Sequence, residues 1–302
     1  MNVDAVAGRP DDVYLGQPMH EAQRSSAARR AVRRRSQYLF EAFRPPGFRP
    51  GRAVPLPDRK TARLVDSPVF VISSQRSGST LLRVLLNSHS RIRAPHELHL
   101  DSLQVQLSAD YAGDVMGELG FGRTSLEHLL WDRVLDHELS RSGKDIIVDK
   151  TPSNALIWRR VAAAWPNARY LFLLRHPGSV LESVLSRHHD AEPDSAVREI
   201  SDYVTGVQEA RENLGGLTLK YEDLTASPER ETQRICEYLG VSWEPDMLEY
   251  GRKDHGPFKP YFGDWSTNIG SGRVQPARPL PRVADVPEPL RKTAAIWGYT
   301  DC

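Results

Sequence analysis

Two cysteines in 302 residues are too few for a disulfide framework, and one of them, Cys302, is the last residue. That scarcity excludes a stapled secreted scaffold and points to a reducing cytoplasm. Met1 to Asp12 has neither a basic start nor an apolar core, so no secretory leader is expected. No apolar run approaches the roughly 20 residues that a membrane span requires. Charge of neither sign dominates: 40 Lys and Arg oppose 39 Asp and Glu, for a net charge of +1. Wholesale attraction to nucleic acid or to an anionic surface is therefore not expected. There is no internal repeat and no low-complexity tract. There is also no compact set of Cys and His with metal-ligand spacing. His188-His189 beside Arg187 reads as a helix end rather than a zinc site, so no metal is expected.

What is present is a core-forming chain, 26% charged and 39% hydrophobic. Residues 1–66 hold many Ala, Arg, Pro and Ser and few aliphatic side chains, and read as a basic N-terminal arm and linker. Within them Ala27 to Tyr38 is a candidate helix carrying Arg29, Arg30, Arg33, Arg34 and Arg35. It is either a solvated helix or a docking surface for an acidic partner such as a carrier protein or nucleic acid. Pro45 to Pro57 reads as a linker. From Ser67 onward short apolar runs alternate with longer helical patterns, the signature of βαβ units. Residues 67–302 are thus read as a single α/β domain, a P-loop-type parallel sheet flanked by helices. The strands are expected at Val69–Ser73, Ile92–Ala94, Asp145–Val148, Tyr170–Leu174 and Leu217–Leu219. The helices are expected at Thr80–Ser88, Ser125–Arg141, Asn154–Trp165, Gly178–His188, Ser195–Asn213 and Pro228–Leu239. The last of these has Ser227 as N-cap, Pro228 at its first position and Gly240 beyond its end. After about Phe262 periodicity returns only at Leu290–Trp297.

The first strand leads into Ser74-Gln75-Arg76-Ser77-Gly78-Ser79, a run of small and polar residues, before leucines resume at helical spacing. A strand–loop–helix turn of this kind aims free backbone N–H groups and a positive dipole end at its guest, which suits a phosphate-type anion. The nucleotide-binding pattern G-x-x-x-x-G-K-[ST] fits poorly. Its first glycine falls on Ser73 and its lysine on Ser79; only Gly78 and Thr80 agree. The cation has moved into the loop, at Arg76.

Ligands of open parallel sheets lie beyond the carboxyl ends of strands, and three more polar clusters fall at such ends. Ala94-Pro95-His96-Glu97-Leu98-His99 offers a carboxylate between two imidazoles, a candidate proton acceptor or a solvated loop. Asp149-Lys150-Thr151-Pro152 ends an apolar run; Lys150 either steadies developing negative charge or forms a salt bridge. Leu174-Arg175-His176-Pro177 is followed by Ser183, eight residues beyond Arg175. A guanidinium and a hydroxyl there suit a second phosphate, or else a cap.

Taken in order, these segments resemble the sulfotransferases that use 3′-phosphoadenosine 5′-phosphosulfate (PAPS). Ser74 to Thr80 resembles that family's 5′-phosphosulfate loop. Arg175 with Ser183 resembles its 3′-phosphate motif, and Lys220-Tyr221-Glu222-Asp223-Leu224 its segment near the adenine. The arginine in the loop and the Pro-x-Glu segment resemble the tyrosylprotein and bacterial branch. The resemblance implies that Glu97 takes the acceptor proton and that Arg76 and Lys150 hold the sulfuryl group. It further implies that Ser77, Gly78, Ser79, Thr80, Arg175, Ser183 and Tyr221 bind the donor. His96 and His99 are alternative bases. The family's C-terminal Arg-Lys-Gly element is replaced in part by Ser271-Gly272-Arg273. PAPS is the implied donor and a hydroxyl compound the implied acceptor. From their aromatic and mixed composition, Ser102–Gly122 and Tyr250–Trp265 are candidates to shape its pocket, and sugar, lipid, phenol, peptide and carrier-bound acceptors all stay open. Two other readings stay open: a kinase using Mg·ATP through Thr80 and Asp149, and a non-catalytic nucleotide-binding protein.

Overall fold

The structure, a computed structural model, describes residues 62–187, 192–256 and 267–300. The basic segment Ala27–Tyr38, the linker Pro45–Pro57, His188-His189 and the second half of Tyr250–Trp265 lie outside the described residues.

Strand β1 (Val69–Ser73) is buried along its whole length. Phe70 and Ile72 enter one core with Trp131, Trp165 and Phe172; Val69 and Val71 enter the other with Leu82, Leu85 and Ile235. This alternation is the two-residue period of a strand, and apolar side chains on both faces are what a central parallel strand requires. It is joined by β2 (Ile92–Arg93), β3 (Ile146–Asp149), β4 (Arg169–Leu174) and β5 (Leu217–Lys220). The order is β2-β3-β1-β4-β5 and every pairing is parallel. All five carboxyl ends therefore open on one rim.

The helices that connect and follow them are α1 (Ser79–Asn87), α2 (Asp110–Glu118), α3 (Arg123–Ser142), α4 (Trp158–Ala164) and α5 (Pro177–Arg187). They continue with α6 (Pro193–Asn213), α7 (Tyr221–Ala226), α8 (Pro228–Leu239), α9 (Thr267–Gly270) and α10 (Glu288–Ile296). After β1 the chain enters α1, whose leucines pack into the second core; after β4 it enters α5, whose Val180 and Val184 pack into the first. The two loops part toward opposite faces. The crevice between the tips of β1 and β4 is the switch point where such sheets take ligands.

Three helix boundaries differ by two or more residues from the sequence expectation, among them that of α3, which starts at Arg123 rather than Ser125. The helix expected at Asn154–Trp165 is a 3-10 turn, Pro152–Ala155, followed by α4. Ser153 Oγ donates to Asp101 at 3.0 Å and Asn154 Nδ2 to Asp149 at 3.0 Å, so the turn is tied to its neighbours before the helix starts. Helix α6 starts at Pro193 rather than Ser195, because proline's fixed φ suits the first helical turn. Among the described residues no helix is long and apolar enough to cross a membrane.

Candidate functional site

The loop after β1 is shaped by two left-handed residues, Arg76 at φ 58° and Gly78 at φ 85°. Helix α1 then begins without a side-chain cap and with no acidic residue in its first turn. Its first N–H groups therefore stay directed at the loop, in the field of the helix dipole. Ser77 is fully buried, and its Oγ has no hydrogen-bond partner among the described residues. Gly78 is required twice: its φ is unfavourable for other residues, and a Cβ there would fall 2.2 Å from Cδ2 of Tyr221. The Tyr221 ring thus lies directly against the loop.

Arg175, one residue past β4, reaches the same loop. Its Nη1 donates to the Arg76 carbonyl at 2.7 Å, and its guanidinium stacks over the Tyr221 ring at 4.5 Å. Arg76 Nε in turn donates to Ser183 Oγ at 3.1 Å. Arg76, Arg175, Ser183 and Tyr221 form one cluster across the tips of β1, β4 and β5. Arg175 Nε is buried without a hydrogen-bond partner among the described residues. Unfilled donors, capless helix amides and two guanidiniums make a cradle that fits a phosphorylated nucleotide.

On the other side of β1, Glu97 and Lys150 form a buried ion pair, with side chains 9% and 1% exposed. His99 Nε2 lies 3.4 Å from the second Glu97 oxygen. Burial pushes the Glu97 carboxyl up, but Lys150 and His99 outweigh it and hold its pKa down at about 2. For His99, burial favours the neutral ring, yet Glu97, Asp101 and Asp149 raise its pKa overall. His96 is turned elsewhere: its Nε2 would lie 2.6 Å from a Cβ on Gly256. Of the two imidazoles, His99 is the one at the carboxylate.

Asp149 plays a supporting part. Its two oxygens accept from Thr151 Oγ1 at 2.8 Å and Asn154 Nδ2 at 3.0 Å. Thr151 Oγ1 also accepts the N–H groups of Leu98 and His99, at 3.1 and 3.3 Å. Asp149 therefore anchors the Glu97 loop, and both its oxygens are engaged where the kinase reading needs a metal ligand.

Ser271-Gly272-Arg273 sits apart from this cluster in its described contacts. Gly251 N donates to the Gly272 carbonyl at 3.2 Å and Tyr250 Oη to the Arg273 carbonyl at 2.8 Å. Sequence reasoning passed over Arg83, which is fully buried, donates to the Ala94 carbonyl at 3.4 Å and feels the Glu97 charge. Burial, partly offset by Glu97, brings its pKa down to about 10. A charge inside Leu81-Leu82-Arg83-Val84-Leu85 was the available signal. Glu199 on α6 was also missed; burial pushes its carboxyl up to about 7, against a hydrogen bond from Gln75 in the loop.

The sequence profile of the sulfotransferase family matches residues 68–245. The chain is 26% identical to nodulation protein NoeE of Sinorhizobium fredii, over 57% of this chain and 49% of that one. It is 22% identical to protein-tyrosine sulfotransferase A of Caenorhabditis elegans, over 60% of this chain and 52% of that one. The chain thus spans about half the length of these relatives. Among solved structures, the sulfotransferase domain from the Synechococcus PCC 7002 olefin synthase shares the fold. Its TM-score is 0.62, its identity 24%, and the likeness covers 82% of this chain and 99% of that one. The loop, the strand-tip cluster and the buried acid–lysine pair all fall inside the matched span, and this chain belongs to the sulfotransferase family.

Proposed function

We propose that this protein transfers a sulfuryl group from PAPS to a hydroxyl of its acceptor. The observation that carries the reading is the joining of two anion-binding elements at adjacent strand tips: Arg175 on the Arg76 carbonyl, and Arg76 on Ser183. One nucleotide with phosphate-type groups at both ends accounts for both. Ser77, Gly78, Ser79 and Thr80 face the 5′ end with backbone and hydroxyl donors. Arg175 and Ser183 meet the 3′-phosphate, and Tyr221 borders the adenine. The family resemblance also gives Ser271-Gly272-Arg273 a part in holding the donor, whereas its described contacts run to Tyr250 and Gly251.

In the reaction an acceptor oxygen bonds to sulfur as the bond from sulfur to the 5′-phosphate oxygen breaks, and adenosine 3′,5′-bisphosphate leaves. Arg76, Lys150 and the loop amides hold the charge that spreads over the sulfuryl oxygens. Glu97 takes the hydroxyl proton, with His99 beside it. A carboxylate held near pKa 2 by Lys150 is a weak base. Lys150 thus has two roles that exclude each other in time: paired with Glu97 it keeps the base quiet, and drawn to the sulfuryl group it releases Glu97 to act. The acceptor carries a hydroxyl and enters on the Glu97 side.

Calorimetric titration of the full chain decides the reading. Adenosine 3′,5′-bisphosphate should bind with the same affinity in EDTA as in magnesium, and Mg·ATP should compete weakly or not at all. Magnesium-dependent ATP binding without bisphosphate binding overturns it.

A further inference from the structure

The segment beyond the matched span returns to the nucleotide cluster. Glu222, next to Tyr221, holds two donors at once: its Oε1 accepts the backbone N–H of His176 at 3.1 Å, and its Oε2 accepts Tyr299 Oη at 2.7 Å. His176 is the neighbour of Arg175, and its ring meets the Tyr299 ring edge-on, with centroids 4.9 Å apart. Lys220 Nζ lies over the Tyr299 ring, 4.6 Å from its centroid. The same segment reaches the corner a second way. Gly178, at the start of α5, has no room for a side chain: a Cβ would fall 2.8 Å from Pro281 and 3.0 Å from Val286. Tyr299 is 6% exposed. Burial and the Glu222 charge raise its pKa, so the phenol stays a proton donor.

A guanidinium aimed at a phosphate loses much of its value when its backbone wanders, because a hydrogen bond weakens steeply with misalignment. The peptide between Arg175 and His176 is pinned from outside the sheet by Glu222, and Glu222 is pinned by Tyr299. We propose that Tyr299 is a positioning residue for the donor's 3′-phosphate, acting through Glu222 to fix the strand-tip peptide that carries Arg175. The inference rests on the reading of Arg175 given above.

The test compares adenosine 3′,5′-bisphosphate with adenosine 5′-monophosphate, which lacks the 3′-phosphate, by calorimetry on the full chain. Wild type should prefer the bisphosphate. Tyr299→Phe, which removes one oxygen, should cut that preference about tenfold, the weight of one well-placed hydrogen bond. Its affinity for the monophosphate should not change. Glu222→Ala should do the same, and the double variant should lose no more than the larger single loss, because the two residues act in series. A preference unchanged in Tyr299→Phe, or equal losses for both nucleotides, overturns the inference and leaves the reading of Arg175 intact. A wild type that binds both nucleotides alike overturns that reading, and the inference with it.

Discussion

At the residue scale, the buried pair of Glu97 and Lys150 makes opposite demands on one carboxylate. With its pKa near 2, Glu97 is ionised throughout the usable range, so the pH profile of kcat/KM should show no acidic limb from it. Lys150→Met removes the largest charge that opposes burial at Glu97. The carboxyl pKa then rises, and an acidic limb should enter the profile while kcat falls. Glu97→Gln should lower kcat by roughly 10²–10⁴, with bisphosphate affinity little changed. If Lys150→Met keeps a flat profile, the pairing does not govern the base. His128 gives a stability counterpart. It is 1% exposed, and neither ring nitrogen has a hydrogen-bond partner among the described residues. Burial, then Arg160 and Arg63, hold its pKa down at about 3, against an ordinary 6.5. The unfolded chain takes a proton near pH 6.5 that the folded chain refuses until about pH 3, so stability is complete above 6.5 and declines as pH falls through that window. The loss should reach about 3 kcal/mol near pH 4. Urea midpoints measured from pH 7 to pH 4 should fall less steeply in His128→Leu than in wild type.

At the element scale, the turn from β1 into α1 is specified by residues that give nothing to the core. Gly78 needs its φ of 85° and the space that Tyr221 fills. Gly78→Ala should destabilise the fold by about 1–3 kcal/mol and weaken bisphosphate binding at least tenfold. Thermal melts and the same titration would report both, and a wild-type affinity would show that the ring can move aside. This turn was readable in advance because its signals are local: four apolar residues, a run of small ones, then leucines at helical spacing. Arg175 and Ser183 were readable for the same reason, eight residues apart on one strand–helix unit. The burial of Arg83 was half readable, as a charge inside an apolar run. The hydrogen bond from Tyr299 to Glu222 was not, because 77 positions separate the two and neither has a local pattern that requires the other. The part played by Asp149 stayed open in the sequence for a related reason. A strand ending in aspartate looks the same whether its oxygens meet a metal or, as here, Thr151 and Asn154.

At the scale of the whole molecule, the last helix belongs to the same core as the first strand. Leu290, Ala294, Trp297 and Tyr299 pack in one cluster with Phe70, Ile72 and Phe172, although they lie beyond the family match at residue 245. Trp297 is 4% exposed and donates to Gln208 on α6 at 2.9 Å. Trp297→Ala should cost about 3–5 kcal/mol and still unfold in one transition. Two separate urea transitions would mean that the C-terminal helix folds on its own terms.

The Tyr221 ring pressed on Gly78 also bears on how this protein can be recombined. Those residues come from opposite ends of the sheet's sequence, yet each sets the size its counterpart must have. A chimera with a crossover between positions 78 and 221 inherits the loop from one parent and its lid from the other. Such hybrids should work only when both parents match at that pair, so shuffling with relatives is best done with breakpoints outside it.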